Sequence, residues 1–192
     1  MITRWPLFLS AAGAALATTA YARWASSRDP FTVLPQVGTT LPHFDLPMRG
    51  GGQVSSRALV GAPSVVVLWS TSCSASRLAL LSVQQLYADY RDRGVKVLIV
   101  ADDDATQLTA FVARTPFRVP VAIAAGRAYT VADPGARIAL TATVALPSVL
   151  VSDSRGRVVL RTVGVAQSGS STSSYPFHAI RGVLDSLLAV PR

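Results

Sequence analysis

The chain has 192 residues, of which half are hydrophobic and 15% charged, and its formal net charge is +8 at pH 7. This length and apolar content allow one domain with a sizeable core and a short extension. The positive charge comes from scattered arginines with no basic run, and Lys96 is the single lysine. There is no recognition helix and no metal-finger spacing, so the sequence argues against nucleic-acid binding.

The N-terminal segment, residues 1–22, has the features of a secretory signal. Arg4 provides the positive region, Pro6 to Thr19 is uncharged and apolar, and Ala20-Tyr21-Ala22 fits the A-x-A cleavage pattern. The apolar run is short for a membrane span. The alternative is an uncleaved anchor that tethers the protein to the membrane through residues 5–22. Both interpretations predict export. A cleaved signal would release the protein into the periplasm or its equivalent, and an anchor would hold it on the membrane facing that compartment.

Residues 23–40 are predicted to form a linker, and residues 41–192 the folded domain. An N-terminal hairpin is expected from Phe44–Leu46 and Gln53–Leu59, on either side of a glycine-rich turn. The next elements are a buried strand, a helix and a second buried strand, predicted at Ser64–Trp69, Ser76–Tyr90 and Val95–Val100. This order predicts a βαβ unit with parallel strands.

The second half of the domain is predicted to complete a mixed central sheet with helices on both faces, an α/β fold. The predicted elements are a helix capped by Asp102–Asp104, a strand at Val119–Ile123, a short helix around Ala136–Thr141, strands at Pro147–Val151 and Arg157–Val163, and a helix at Tyr175–Val190. The last two strands are joined by a short turn and must be antiparallel. The low-complexity loop Gln167–Ser174 is expected to be mobile and near the Cys73 end of the sheet.

Cys73 is the only cysteine, and it lies where the first buried strand passes into its helix. Helix N-termini favour the thiolate, and Ser72 or Ser74 is predicted to cap the helix and hydrogen-bond the sulfur. A lone cysteine in an exported protein indicates a free reactive thiol or an intermolecular bond. An inert buried thiol is the alternative.

The element order, Trp69 at the strand end, Cys73 at the helix start and "VALPSVLV" before a "DSRGR" turn resemble the thioredoxin fold. The longer similarity, over about Leu41 to Leu188, is to the exported TlpA/ResA-like thiol–disulfide oxidoreductases of the redoxin (AhpC/TSA-like) superfamily. The resemblance implies a thioredoxin-like domain that acts on disulfides.

The family's W-C-x-x-C motif aligns on Ser72 to Ser76. The resemblance implies that Cys73 is the attacking cysteine, while Ser76 replaces the resolving cysteine and Ser72 the tryptophan. Ala79 stands where many members carry a glutamate. Pro147 matches the cis-proline that faces the sulfur. Residues 164–166 match the turn beside the substrate groove.

These matches imply monothiol exchange through Cys73, with a client protein or a small thiol as the mixed-disulfide partner and no cofactor. Whether the protein is an enzyme is left open, because Ser76 cannot form a disulfide and the second interpretation is a thioredoxin-fold binding module without catalysis. A one-cysteine peroxidase is the third interpretation. The peroxidase motif places proline and threonine where this chain has Val66 and Ser70.

The remaining polar residues are interpreted as structural. His43 and His178 share no metal-ligand spacing with Cys73, so no metal site is predicted. His43 is predicted to lie in a loop, and His178 is predicted to be a helix-surface or packing residue. The acidic run Asp102 to Asp104 is interpreted as a helix cap with a solvated face.

Overall fold

The computed structural model describes residues 34–125, 129–130, 137–138, 146–163 and 177–189. The predicted signal or anchor, the turn 164–166 and the loop Gln167–Ser174 lie outside these residues. None of the helices in the described ranges is long and apolar enough to cross a membrane.

The described elements are the strands and helices of an α/β domain. They are β1 (Asp45–Pro47), β2 (Gln53–Ser55), β3 (Ser64–Trp69), α1 (Ser74–Tyr90), β4 (Lys96–Ala101), α2 (Ala105–Arg114), β5 (Val121–Ile123), β6 (Tyr129–Thr130), β7 (Arg137–Ile138), β8 (Ser148–Ser152), β9 (Val158–Val163) and α3 (Phe177–Ala189). Two 3-10 helices, Ser56–Leu59 and Arg91–Arg93, lie between them.

The central sheet has five strands in the order β5-β4-β3-β8-β9. Strand β3 pairs parallel with β4, and β4 with β5, whereas β8 is antiparallel to both β3 and β9. The parallel β3–α1–β4 unit and the antiparallel β8–β9 pair are as predicted. The mixed sheet and the α/β fold class are therefore confirmed.

Alternate side chains of β3 enter two separate hydrophobic clusters, because successive residues of a strand face opposite sides of the sheet. Val65, Val67 and Trp69 pack with buried residues of all three α-helices. Val66 and Leu68 face a second cluster formed with the N-terminal hairpin and the 3-10 helix Ser56–Leu59. Helical elements thus cover both faces of the sheet, with the α-helices of the described chain on one of them.

Two local predictions need correction. The second arm of the N-terminal hairpin is only Gln53–Ser55, because the following residues turn into a 3-10 helix whose Leu59 is buried. In the predicted short helix around Ala136–Thr141, the described residues Arg137–Ile138 instead form β7, paired with β6.

The end of α1 is joined to α3 by a polar cluster. The buried Tyr90 donates its hydroxyl to Asp185 at 3.0 Å, and Arg93 pairs with the same carboxylate at 2.8 Å. Arg181 of α3 pairs with Asp89 of α1 at 2.5 Å.

The bond from Arg93, followed by the bond from Tyr90, lowers the pKa of Asp185 below its ordinary value. The bond from Arg181, followed by the bond from Gln85, lowers the pKa of Asp89.

Candidate active site around Cys73

Cys73 is the N-cap residue of α1, with extended backbone angles of φ −87° and ψ 119°. Its carbonyl accepts the backbone N–H of Arg77 at 3.1 Å, which begins the helix. The thiol is half-buried and forms no disulfide. The prediction that a serine side chain caps α1 is wrong, because no side chain makes the cap bond and the Ser72 hydroxyl instead bonds the Ser70 hydroxyl at 2.8 Å.

The Leu146–Pro147 peptide bond is cis, and it lies against Cys73. The Cys73 Sγ donates to the Leu146 carbonyl at 3.4 Å, across 73 positions of sequence. The fold produces this contact because β8 begins at Ser148 and pairs with β3, whose end leads to Cys73. Both the cis bond and its proximity to Cys73 were predicted, and both are confirmed.

Ser76 lies one turn of α1 after Cys73 and is completely buried. Its hydroxyl accepts the backbone N–H of Ser70 at 3.4 Å, and its carbonyl accepts the indole N–H of Trp69 at 2.6 Å. Ala79, one turn further, is 4% exposed and belongs to the core. Of the three positions that depart from the family motif, Ser76 and Ala79 are therefore buried, whereas Ser72 is exposed.

Asp103 is the functional candidate that the sequence interpretation missed. Its carboxylate is 4% exposed and accepts the backbone N–H of Thr71 at 2.8 Å, the Thr71 hydroxyl, and the Ser70 hydroxyl at 3.3 Å. Asp104, as predicted, caps α2 through a capping box with Gln107. The prediction of a solvated acidic face is thus wrong at Asp103.

The register of the sheet is the signal that could have located Asp103. Strands β3 and β4 are parallel, and Trp69 at the end of one lies beside Ala101 at the end of the other. Residues that follow two neighbouring parallel strands emerge at the same sheet edge. A carboxylate two residues after Ala101 is therefore expected near the loop that follows Trp69, and there it holds the segment leading to Cys73.

A cleft of about 490 Å³ adjoins this loop between α1 and α2. Arg77 of α1 donates from its guanidinium to the Thr71 carbonyl at 2.8 Å. The lining residues are Thr71, Arg77, Gln107, Ala110, Phe111, Arg114 and Thr115. Two arginines and no acidic residue thus line an opening that begins two residues before Cys73.

The contacts recorded for the two histidines do not involve Cys73. His43 bonds Ser56 at 3.1 Å and Asp45 at 3.1 Å, in the N-terminal part of the domain. His178 is exposed on α3. In the described ranges, no group of three or more His, Cys, Asp or Glu side chains is arranged to hold a metal ion.

The fold and the position of Cys73 define a thioredoxin-like domain, and comparison with known proteins places it in a family. The AhpC/TSA family matches residues 37–161, so the chain belongs to that family. The thiol-disulfide oxidoreductase ResA of Bacillus cereus is 28% identical over 132 residues, covering 67% of this chain and 70% of the relative. The resemblance to ResA-like proteins is confirmed.

Solved structures agree with this fold assignment. A crystal structure from Chlorobium tepidum, assigned as the thiol:disulfide interchange protein DsbE, superimposes with a TM-score of 0.64 at 23% identity, covering 81% of this chain and all of that one. The thioredoxin domain of a thiol-disulfide oxidoreductase from Bacteroides vulgatus gives a TM-score of 0.59 at 13% identity, covering 79% and 99%. At these identities, the similarity is evidence for the fold alone.

Proposed function

We propose that the protein carries out monothiol thiol–disulfide exchange through Cys73, outside the cytoplasm. The observation that carries this proposal is the pairing of the Cys73 Sγ with the Leu146 carbonyl, directly before the cis-proline Pro147. The thiol is half-buried, starts a helix and has no cysteine partner in the chain. The similarity to relatives named as thiol-disulfide oxidoreductases supports the same chemistry.

In the proposed reaction, the Cys73 thiolate attacks one sulfur of a client disulfide. A Cys73–client S–S bond forms, the client S–S bond breaks, and the second client sulfur leaves as a thiolate. A dithiol enzyme would then attack Cys73 with its own second thiolate. Ser76 occupies that position and its hydroxyl cannot form an S–S bond, so resolution requires a thiol from outside the chain.

The proposed roles follow from where each residue lies. Cys73 is the nucleophile, and Pro147 forms the wall against which a client strand is held. Ser76 is a buried polar residue in place of a resolving thiol, and it keeps the mixed disulfide long-lived. Ala79 provides no acid or base, so proton transfer at the second step must come from the external thiol or solvent.

A binding module without catalysis is the second candidate function, and the burial of Ser76 and Ala79 favours it. Ser76 is completely buried and Ala79 is 4% exposed, and neither side chain carries a thiol or an ionisable group. Such a module would retain the groove beside Pro147 and bind a client without exchange. The peroxidase interpretation is less well supported, because the Ser70 hydroxyl is bonded to Ser72 and Asp103 and Val66 is buried in the second core cluster.

Export remains part of the proposal, on the strength of residues 1–22. The segment would act as a cleaved signal or as a membrane tether through residues 5–22. Mass spectrometry of the mature N-terminus distinguishes the two, since cleavage after Ala22 leaves Arg23 as the first residue. Unprocessed protein found in the cytosol would contradict both.

The central experiment is capture of a partner on Cys73. Folded protein is treated with a disulfide-containing peptide, quenched with acid and analysed by intact mass. We expect an adduct that reductant removes and that Cys73→Ser lacks, with near-background activity in insulin reduction. A folded protein whose thiol resists both disulfides and alkylating agents would instead support the binding module.

A further inference from the structure

The cleft between α1 and α2, lined by Arg77 and Arg114, is the strongest feature that the exchange reaction itself does not use. Both arginines are exposed, and Phe111 forms a half-buried apolar wall beside them. Arg77 uses Nη1 to bond the Thr71 carbonyl. A guanidinium has five N–H donors in a planar fork, so Arg77 keeps donors for a further acceptor.

The acidic groups nearest to this cleft are already engaged. Asp103 accepts hydrogen bonds from Thr71 and Ser70, and it is buried rather than exposed to the opening. Asp104 accepts the backbone N–H of Gln107 at 2.7 Å as the cap of α2. Neither carboxylate lines the cleft, and among the described residues no ion pair to Arg114 is formed. The opening therefore presents positive charge.

The cleft adjoins the backbone segment that carries Cys73. The backbone N–H of Arg77 bonds the carbonyl of Cys73, and Thr71 precedes Cys73 by two residues. Two of the lining residues, Thr71 and Arg77, therefore flank Cys73 in the sequence, although Cys73 itself does not line the opening. With about 490 Å³ available, the cleft has the size of a small-molecule site.

We propose that this cleft binds the carboxylate of a small anionic thiol, and that this thiol resolves the Cys73 mixed disulfide. The inference rests on the proposed function, because only a monothiol protein needs an external resolving thiol. Arg77 and Arg114 hold the carboxylate, and Phe111 contacts the aliphatic part that leads to the sulfur. The arginines are binding residues, while the exchange takes place at Cys73.

The exchange balances with two molecules of the small thiol as reductant. The first thiolate attacks the Cys73 sulfur, a Cys73–S–S–R bond forms, and the client's remaining sulfur leaves as a thiolate. The second thiolate attacks the R sulfur, RSSR forms, and the Cys73 thiolate is regenerated. The client disulfide gains two electrons, the two small thiols lose them, and the two thiol protons neutralise the client thiolates.

The test compares three small thiols of similar size that differ in charge. Full-length protein is first converted to the Cys73–thiopyridyl mixed disulfide with dithiodipyridine, which has an uncharged leaving group. Release of thiopyridone is then followed with mercaptopropionate, mercaptoethanol and cysteamine. Each rate is divided by the rate of the same thiol with free dithiodipyridine, which removes differences in intrinsic nucleophilicity.

We expect the normalised rate for mercaptopropionate to exceed that for cysteamine about tenfold, since two exposed charge pairs each contribute about a three- to fivefold effect. Arg114→Gln should reduce this ratio about threefold to fivefold. Arg155→Gln is the matched control, because it removes the same charge from the β8–β9 turn at the other end of the sheet. Arg77→Lys tests the second arginine. Lysine keeps the positive charge, so a change in the ratio would report the loss of the planar guanidinium donors.

The outcomes separate the two proposals. If Cys73 does not react with dithiodipyridine in the folded protein, the exchange function itself fails. If Cys73 reacts and the three normalised rates are equal, the cleft does not select a carboxylate and this inference alone is wrong. An equal loss of selectivity in Arg114→Gln and Arg155→Gln also overturns it, because the effect would then come from net charge.

Discussion

The buried carboxylate of Asp103 accepts both the backbone N–H and the hydroxyl of Thr71, which joins the end of β4 to the loop that carries Cys73. The Ser70 hydroxyl adds a third donor at 3.3 Å and itself bonds Ser72. Arg77 of α1 donates to the Thr71 carbonyl of the same loop. The segment before the thiol is therefore fixed by side chains from two neighbouring elements.

Asp103→Ala should lower stability and change the reactivity of Cys73. The substitution leaves the half-buried backbone N–H and hydroxyl of Thr71 without an acceptor, at a cost of about 1–3 kcal/mol, and removes one of the partners of the Ser70 hydroxyl. The loop that orients Cys73 is released at the same time. The rate at which the Cys73 thiol is alkylated in the folded protein should therefore change. Urea unfolding and iodoacetamide kinetics measure the two effects.

Asp104→Ala is the control for this prediction. It removes the cap of α2, at a cost of about 1 kcal/mol, and does not touch the Cys73 loop. We expect its alkylation rate to match the wild type. Equal alkylation rates in Asp103→Ala, Asp104→Ala and the wild type would show that Asp103 supports stability alone.

Adjacent leucines of α1 should respond very differently to truncation. Leu80 is 2% exposed in the main core cluster, whereas Leu81 is 75% exposed. Leu80→Ala should therefore cost about 2–5 kcal/mol. Leu81→Ala should change the unfolding free energy by no more than about 0.5 kcal/mol. Similar urea midpoints for the two variants would contradict the orientation of α1 on the sheet.

The contact between α1 and α3 should make stability sensitive to acid. Asp185 and Asp89 have pKa values lowered by their arginine partners, so each carboxylate stabilises the fold above its ordinary pKa. This contribution is lost as pH falls through the lowered value. Asp185→Asn should lower Tm by about 1–2 °C at pH 7. The difference from the wild type should disappear in strong acid.

Asp92→Asn provides the comparison, because Asp92 is exposed and pairs with the adjacent Arg91 at 3.4 Å. Its Tm at pH 7 should fall less than that of Asp185→Asn. A Tm difference for Asp185→Asn that stays constant from neutral to strongly acidic pH would contradict the role of the ionised carboxylate.

The sequence was sufficient to predict the features that depend on local pattern and strand order. The apolar runs at β3 and β4 with a helix between them require a parallel pair, and the short turn after Ser152 requires an antiparallel one. Pro147 could be assigned as cis because a family resemblance supplied its context. Cys73 could be placed at a helix start from its position after the strand.

The features that the sequence did not reveal depend on side-chain partners across elements. Ser72 has the chemistry of a helix cap, yet its hydroxyl bonds Ser70, and Cys73 is left as the N-cap residue. Asp102 to Asp104 form one acidic run, but the strand end and helix start give its members different environments. Asp103 is buried against Thr71, while Asp104 caps α2 in solvent. Local composition cannot separate them.

Ser76→Cys should convert the one-thiol site into one that closes an internal disulfide. Position 76 lies one turn after Cys73 and is completely buried, and its carbonyl is held by the Trp69 indole. We expect a thiol there to reach the Cys73 sulfur without a change of fold, because the two positions are one helical turn apart. Oxidised protein should show the loss of two hydrogen atoms by intact mass, and reductant should reverse it.

The same variant should shorten the life of the mixed disulfide, because the new thiolate displaces the client from Cys73. Insulin reduction should rise above the background of the wild type, though slowly, since Ala79 supplies no acid or base. Ser76→Ala is the matched control, which lacks the hydroxyl and gains no thiol, and it should keep the long-lived adduct. If Ser76→Cys folds and its two thiols alkylate independently without ever forming a disulfide, position 76 does not face Cys73, and the interpretation of Ser76 as the missing resolving residue is wrong.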